Sequence, residues 1–216
     1  MKKGLTELVF ILDKSGSMSG LESDTIGGFN SMLAKQKALE GKCCVTTVLF
    51  DNRYELLHDR IDLNAVNPIS DREYQVGGST ALIDAIGQTI NKIRTAQKNT
   101  ADDYRAEHVL FVIITDGEEN ASREYTAEKV KELIEKQKSE HGWEFVFLGA
   151  NIDAVTTARR YGIDQDRAVD YLADAQGTQM SYSAVDDFIT AKRLYKIAPA
   201  QAFEAVRTDY KTRRKK

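Results

Sequence analysis

Five oxygen-bearing residues occupy three short turns of the chain. Asp13, Ser15 and Ser17 stand at alternate positions, Thr80 follows Gly77-Gly78-Ser79, and Asp116 precedes Gly117. Two carboxylates and three hydroxyls form an all-oxygen, hard-donor set. Such a set suits Mg²⁺ or Mn²⁺, with Ca²⁺ a weaker candidate, and it is the wrong chemistry for Zn²⁺ or copper, which take nitrogen and sulfur. Alternate spacing lets a bent loop turn the oxygens of Asp13, Ser15 and Ser17 toward one point. Glycines before Thr80 and after Asp116 allow a sharp backbone path and close approach between loops.

These turns must be held by regular elements, and the hydrophobic pattern supplies them. Residues 8–12 form a continuous apolar run that ends at Asp13, as expected of a central parallel strand covered on both faces. Leu21, Ile26, Phe29, Met32 and Leu33 predict a helix over 20–39. Residues 43–50 read as a second strand, and 54–58 return antiparallel at the sheet edge after the Asp51-Asn52-Arg53 turn. The stretch 62–76 is polar, contains Pro68, and reads as loop. A helix over 80–97, the strongest strand at 109–114, a helix over 126–138 and a strand at 145–148 follow. The last elements are a helix over 152–161, a short strand at 168–171 and a helix over 181–194. Strands alternating with helices imply right-handed crossovers and a mainly parallel sheet with helices on both faces. Ligands of such sheets bind beyond the carboxyl ends of the strands, where strand order reverses. All three oxygen-rich turns belong there.

Asp13-Lys14-Ser15-Gly16-Ser17-Met18 resembles the D-x-S-x-S signature of the von Willebrand factor A domain and its metal ion-dependent adhesion site. Gly-Gly-Ser-Thr before a helix and Ile-Thr-Asp-Gly after a strand follow in that family's order, and the likeness covers most of the chain. It implies a Rossmann-like three-layer α/β/α fold with about six strands, one of them an antiparallel edge strand. By the same resemblance, Ser15 and Ser17 bind Mg²⁺ or Mn²⁺ directly, Thr80 directly or through water, and Asp13 and Asp116 largely through water. The exchangeable coordination position then accepts an Asp or Glu of a partner protein. The domain is expected over 1–198, with a basic C-terminal segment at 199–216. The simpler account, that Asp13 and Asp116 end strands while the hydroxyls cap turns and helices, explains each residue separately. It does not explain why all three loops are oxygen-rich together.

Composition bounds the other classes. A chain of 216 residues can bury a core without staples. Its net charge of −3 gives no general pull toward nucleic acid; the basic tail of Arg207, Lys211, Arg213, Arg214, Lys215 and Lys216 is the one local exception, and a solvated terminus is its plainer reading. No secretory signal or membrane span is evident, and the adjacent Cys43 and Cys44 point to opposite faces of a strand, so cytoplasmic thiols are expected. The resemblance then points to the intracellular bacterial or phage branch of the family. A haloacid dehalogenase-like phosphatase needs a second Asp where this chain has Ser15. Neither G-x-G-x-x-G nor G-x-x-x-x-G-K-[ST] is present, and His58, His108 and His141 lack ligand spacing. The sequence therefore predicts a non-enzymatic, metal-dependent protein-interaction module, with a structural subunit carrying a stabilising metal as the alternative. Glu118-Glu119-Asn120 reads as a solvated acidic loop at its rim.

Overall fold

A computed structural model describes residues 2–197, 199 and 201–214; Lys215 and Lys216 of the basic tail lie outside them. Six strands form one sheet: β1 (Lys2–Asp13), β2 (Cys43–Phe50), β3 (Tyr54–Asp62), β4 (Ala106–Asp116), β5 (Glu144–Ala150) and β6 (Ala168–Tyr171). Their order is β3-β2-β1-β4-β5-β6, parallel throughout except for the β2–β3 pair at the edge. The helices are α1 (Glu22–Lys37), α2 (Leu82–Asn99), α3 (Ala127–His141), α4 (Ala154–Arg160), α5 (Ala175–Tyr195) and α6 (Glu204–Arg213). This is the three-layer α/β/α arrangement that the alternation of elements predicts. Among the described residues no helix is long and apolar enough to cross a membrane.

Side-chain alternation along β1 builds both layers of core. Leu8, Phe10 and Leu12 pack with Phe29 and Met32 of α1 and with Val185 and Phe188 of α5. Val9 and Ile11 face the opposite way, toward Ile86 and Ile90 of α2 and Ile134 of α3. A strand buried on both faces must read as a nearly continuous apolar run, which is why 8–12 is so plain in the sequence. The chain lays down β2 and β3 on one side of β1, then crosses to place β4, β5 and β6 on the other. Strand order therefore reverses between β1 and β4, and Asp13 and Asp116 are the last residues of those two strands.

Three boundaries differ from expectation, each for a local reason. β1 begins well before residue 8, because the charge of Glu7 is met inside the fold by Arg60 at 2.8 Å. β3 runs on past His58 through irregular pairing around Arg60, which has φ 52°. α5 starts at Ala175 because the Asp174 carboxylate accepts the Gly177 N–H at 2.7 Å, an N-cap. The basic C-terminal segment also has structure. Phe203 and Val206 are buried against α5 and the sheet. Arg207 donates to the carbonyls of Asp166 and Ala168, and Arg213 forks onto Asp174 and Asp209. Arg207 and Arg213 of the basic tail are thus met within the fold, while Lys211 and Arg214 are exposed.

Candidate metal centre

The five oxygen-bearing residues converge. Asp13 ends β1, and the turn that follows brings the Ser15 N–H back to Asp13 Oδ1 at 2.7 Å. Thr80 Oγ1 donates to Ser15 Oγ at 2.9 Å, and Ser15 Oγ and Ser17 Oγ lie 3.1 Å apart. Asp116 joins through its backbone N–H, which donates to the Asp13 carboxylate. Gly117 then runs so close that a Cβ there would stand 2.8 Å from Ser17 Oγ. With φ 151° as well, Gly117 is needed for both its conformation and its lack of a side chain. Asp13, Ser15, Thr80 and Asp116 are buried, whereas Ser17 is exposed. The cluster therefore opens to solvent on the Ser17 side.

Neutral hydrogen-bond donors hold the two carboxylates. Thr115 Oγ1 donates to Asp13 Oδ2 at 2.5 Å, and Asn151 Nδ2 donates to Asp116 Oδ1 at 2.5 Å. Burial pushes both carboxyls above the ordinary aspartate range, these hydrogen bonds oppose the shift, and the Asp13 charge pushes Asp116 further up. Among the described residues no lysine or arginine forms an ion pair with either group. Lys14, next to Asp13 in sequence, turns instead to Glu55 at 2.5 Å. Two buried carboxylates without a cation, beside three clustered hydroxyls, fit a hard divalent ion. Among the described residues no three of His, Cys, Asp and Glu gather into a metal-holding group. The centre's donor set is two carboxylates and hydroxyls, and the rest of a coordination shell would be water.

Several residues that shape the centre were not singled out by the sequence. Asn120 Oδ1 accepts the Thr80 N–H at 2.9 Å, and the Thr80 carbonyl accepts the N–H groups of Asn120 and Ala121. Glu119 accepts the N–H groups of Ile83, Ala121 and Ser122. Glu118 and Asn120 are exposed, as a solvated loop requires, but Glu119 is half-buried, and Glu119 and Asn120 together tie the 117–122 turn to the start of α2. Asn151 follows β5, which lies beside β4, so its place after Gly149-Ala150 was the available signal. Cys43 and Cys44 are free, and burial pushes each thiol up to about 12, so neither is a ready thiolate. His58, His108 and His141 lie on β3, β4 and α3.

Sheet order, the reversal between β1 and β4, and a D-x-S-x-S turn meeting a Thr and a second Asp define one class of domain. The model of the von Willebrand factor type A domain matches residues 7–196, and the chain belongs to that family, whose members are typically protein-interaction modules. Among solved structures, the vWF domain of the type V pili tip protein Mfa5 from Porphyromonas gingivalis is similar, with TM-score 0.61 and 12% identity over 86% of this chain and 95% of that one. A von Willebrand factor type A protein from Catenulispora acidiphila gives TM-score 0.58 and 15% identity over 88% of this chain and 42% of that one. The ArnB paralog VWA2 from Sulfolobus acidocaldarius gives 0.55 and 16% over 87% and 45%. The chain thus spans less than half the length of those last two proteins. Comparison with curated proteins finds no match.

Proposed function

We propose that the chain is a metal-dependent protein-binding module. Ser15, Ser17 and Thr80 would hold Mg²⁺ or Mn²⁺ through their hydroxyls, and Asp13 and Asp116 would complete the site. The observation that carries this reading is the uncompensated pair of buried carboxylates next to the hydroxyl cluster. Structural capping alone would leave that negative charge without an offset, which is costly in a buried setting. A bound dication supplies a Lewis-acidic position for an oxygen of an incoming group.

The protein's own part is orientation. Thr115 and Asn151 occupy carboxylate oxygens of Asp13 and Asp116 and so fix their direction. Asn120 and Glu119 hold Thr80 and the start of α2 in place. Exposed Ser17 marks the open side, where a partner's Asp or Glu would approach. We read the site as binding rather than catalytic, and a protein partner is what the family favours.

Calorimetric titration of Mg²⁺ and Mn²⁺ into metal-stripped protein tests the reading, with Asp13→Ala as control. One saturable site that disappears in the variant is expected. Heat unchanged by the substitution, or no binding by the wild type, would refute it. Turnover of a generic phosphate ester that depends on Mg²⁺ and on Asp13 would move the assignment to an enzyme.

A further inference from the structure

Segment 66–78 has the composition of an ordinary polar loop, yet it is fastened along its length. Asn30 of α1 pairs with both backbone groups of Ile69, donating to its carbonyl at 2.8 Å and accepting its N–H at 2.9 Å. Lys37 donates to the Val66 carbonyl at 2.6 Å, and Glu73 accepts the N–H and hydroxyl of Ser70. The strap so formed ends at Gly77 and Gly78, directly before Ser79-Thr80. Along the way it buries Tyr74 in the core layer shared with α1 and α5.

The strap grips the metal turn peptide by peptide. The amide joining Asp13 to Lys14 is one rigid plane. Its N–H, on Lys14, donates to the Phe50 carbonyl at 2.7 Å. Its C=O, on Asp13, accepts a short hydrogen bond from the Tyr74 hydroxyl. The next carbonyl, on Lys14, accepts the Gly77 N–H at 2.9 Å, and the Gly16 N–H donates to the Gly78 carbonyl at 3.0 Å. Thus the strap supplies three of the bonds that set the path from Asp13 to Ser17, and Tyr74 is the side chain among them. A hydrogen bond from Thr25 to the Tyr74 oxygen fixes the hydroxyl from the α1 side.

We propose that Tyr74 is a positioning residue for the metal centre. By locking the Asp13–Lys14 peptide plane from below, its hydroxyl sets the direction in which Asp13 and Ser15 present their oxygens. The inference rests on the metal-binding reading. It extends that reading to a loop whose composition gives no hint of a role, and to a residue that touches no metal. Loss of the hydroxyl leaves a buried carbonyl without this donor and frees one plane of the turn, so metal affinity falls while the fold persists.

Tyr74→Phe keeps the ring in its packed place and removes only the hydroxyl. Tyr125→Phe is the control, since its hydroxyl accepts from Asn91 on α2, away from the metal turn. Mg²⁺ affinity is measured by calorimetry and Mn²⁺ affinity by the free-ion paramagnetic resonance signal, on the full chain, with circular dichroism confirming that each variant is folded. Tyr74→Phe is expected to weaken both metals about 10-fold, the scale of lost outer-shell support, with Tyr125→Phe unchanged. Equal affinity for wild type and Tyr74→Phe would overturn the role of Tyr74 and leave the metal site standing. If the wild type binds neither metal, the metal-binding reading itself fails and this inference with it.

Discussion

Glu7 and Asp13 lie on the same central strand, Glu7 at its middle and Asp13 as its last residue, and both are fully buried carboxylates. Burial pushes both above their ordinary pKa ranges. Their neighbours differ. Glu7 accepts from Arg60 Nε at 2.8 Å and from the amide of Gln97, so a full positive charge faces it. Asp13 accepts from a threonine hydroxyl and from backbone amides, and the nearest charge acting on its partner Asp116 is negative. The middle of β1 carries an internal ion pair, while its carboxyl end gathers two negative charges and opens to solvent at Ser17. A buried charge left without a partner is hard to account for by folding alone, and that contrast supports a cation from outside at the Asp13 end.

The largest effect should come from making the two sites alike. Arg60→Ala removes the cation that faces Glu7 and leaves a buried carboxylate without its ion pair. We expect a loss of about 3 kcal/mol of folding stability, at the low end for breaking such a pair because Arg60 is itself partly exposed. Urea denaturation measures it, and Mg²⁺ affinity should stay at the wild-type value. A loss within a few tenths of a kcal/mol would mean that the ion pair at Glu7 contributes little, and the comparison would collapse.

At the Asp13 site the stabilising partner is expected to be added rather than removed. Mg²⁺ at about 100 times its dissociation constant should stabilise the wild type by about 2.7 kcal/mol, since it binds only the folded chain. In Asp13→Ala this gain should vanish, while in Glu7→Gln it should persist. Denaturation curves with Mg²⁺ and with a chelator separate these cases. A metal gain that survived Asp13→Ala would place the ion elsewhere on the molecule.

A smaller effect distinguishes the orienting residues from the ligands. Asn151→Ala and Thr115→Val leave all five oxygen donors present but free the carboxylates of Asp116 and Asp13 to turn. Metal affinity should drop by about 10- to 100-fold in each without being abolished. Unchanged affinity in both would show that the carboxylates are held by other means.

The sequence was most legible where chemistry and periodicity coincide. An apolar run ending at Asp13, a second leading to Asp116, and a helix expected from Thr80 placed the five oxygen-bearing residues at strand ends and just before a helix that begins at Leu82. What escaped was the second layer of contacts. Asn120 and Glu119 read as ordinary loop residues, and their bonds to Thr80 and Ile83 form only when the turn folds back on α2. Tyr74 carries no local mark of its bond to Asp13, since the two are brought together only by the strap across α1. Glu7 misled the strand boundary for the same reason, as its partner Arg60 lies on the edge strand and reaches it through an irregular pairing. Periodicity reports a residue's own element, and these contacts join elements distant in sequence.

The smallest effect sharpens the comparison most, because it asks how completely Arg60 neutralises Glu7. Burial raises the pKa of Glu7 above its usual 4.5, with Arg60 and Gln97 pulling it back only in part. The folded chain thus holds this proton to higher pH than the unfolded chain does. The stability this difference confers is fully present below about pH 4.5 and is lost as pH rises through the folded value. Glu7→Gln has no such titration. On acidification from neutrality to about pH 4.5, wild type should therefore gain stability relative to Glu7→Gln, and shared acid effects cancel in that difference. A difference that stays flat would mean Arg60 and Gln97 offset the burial of Glu7 completely. Movement in the opposite direction would mean that they outweigh it, and the two carboxylate sites on β1 would then stand further apart than burial alone suggests.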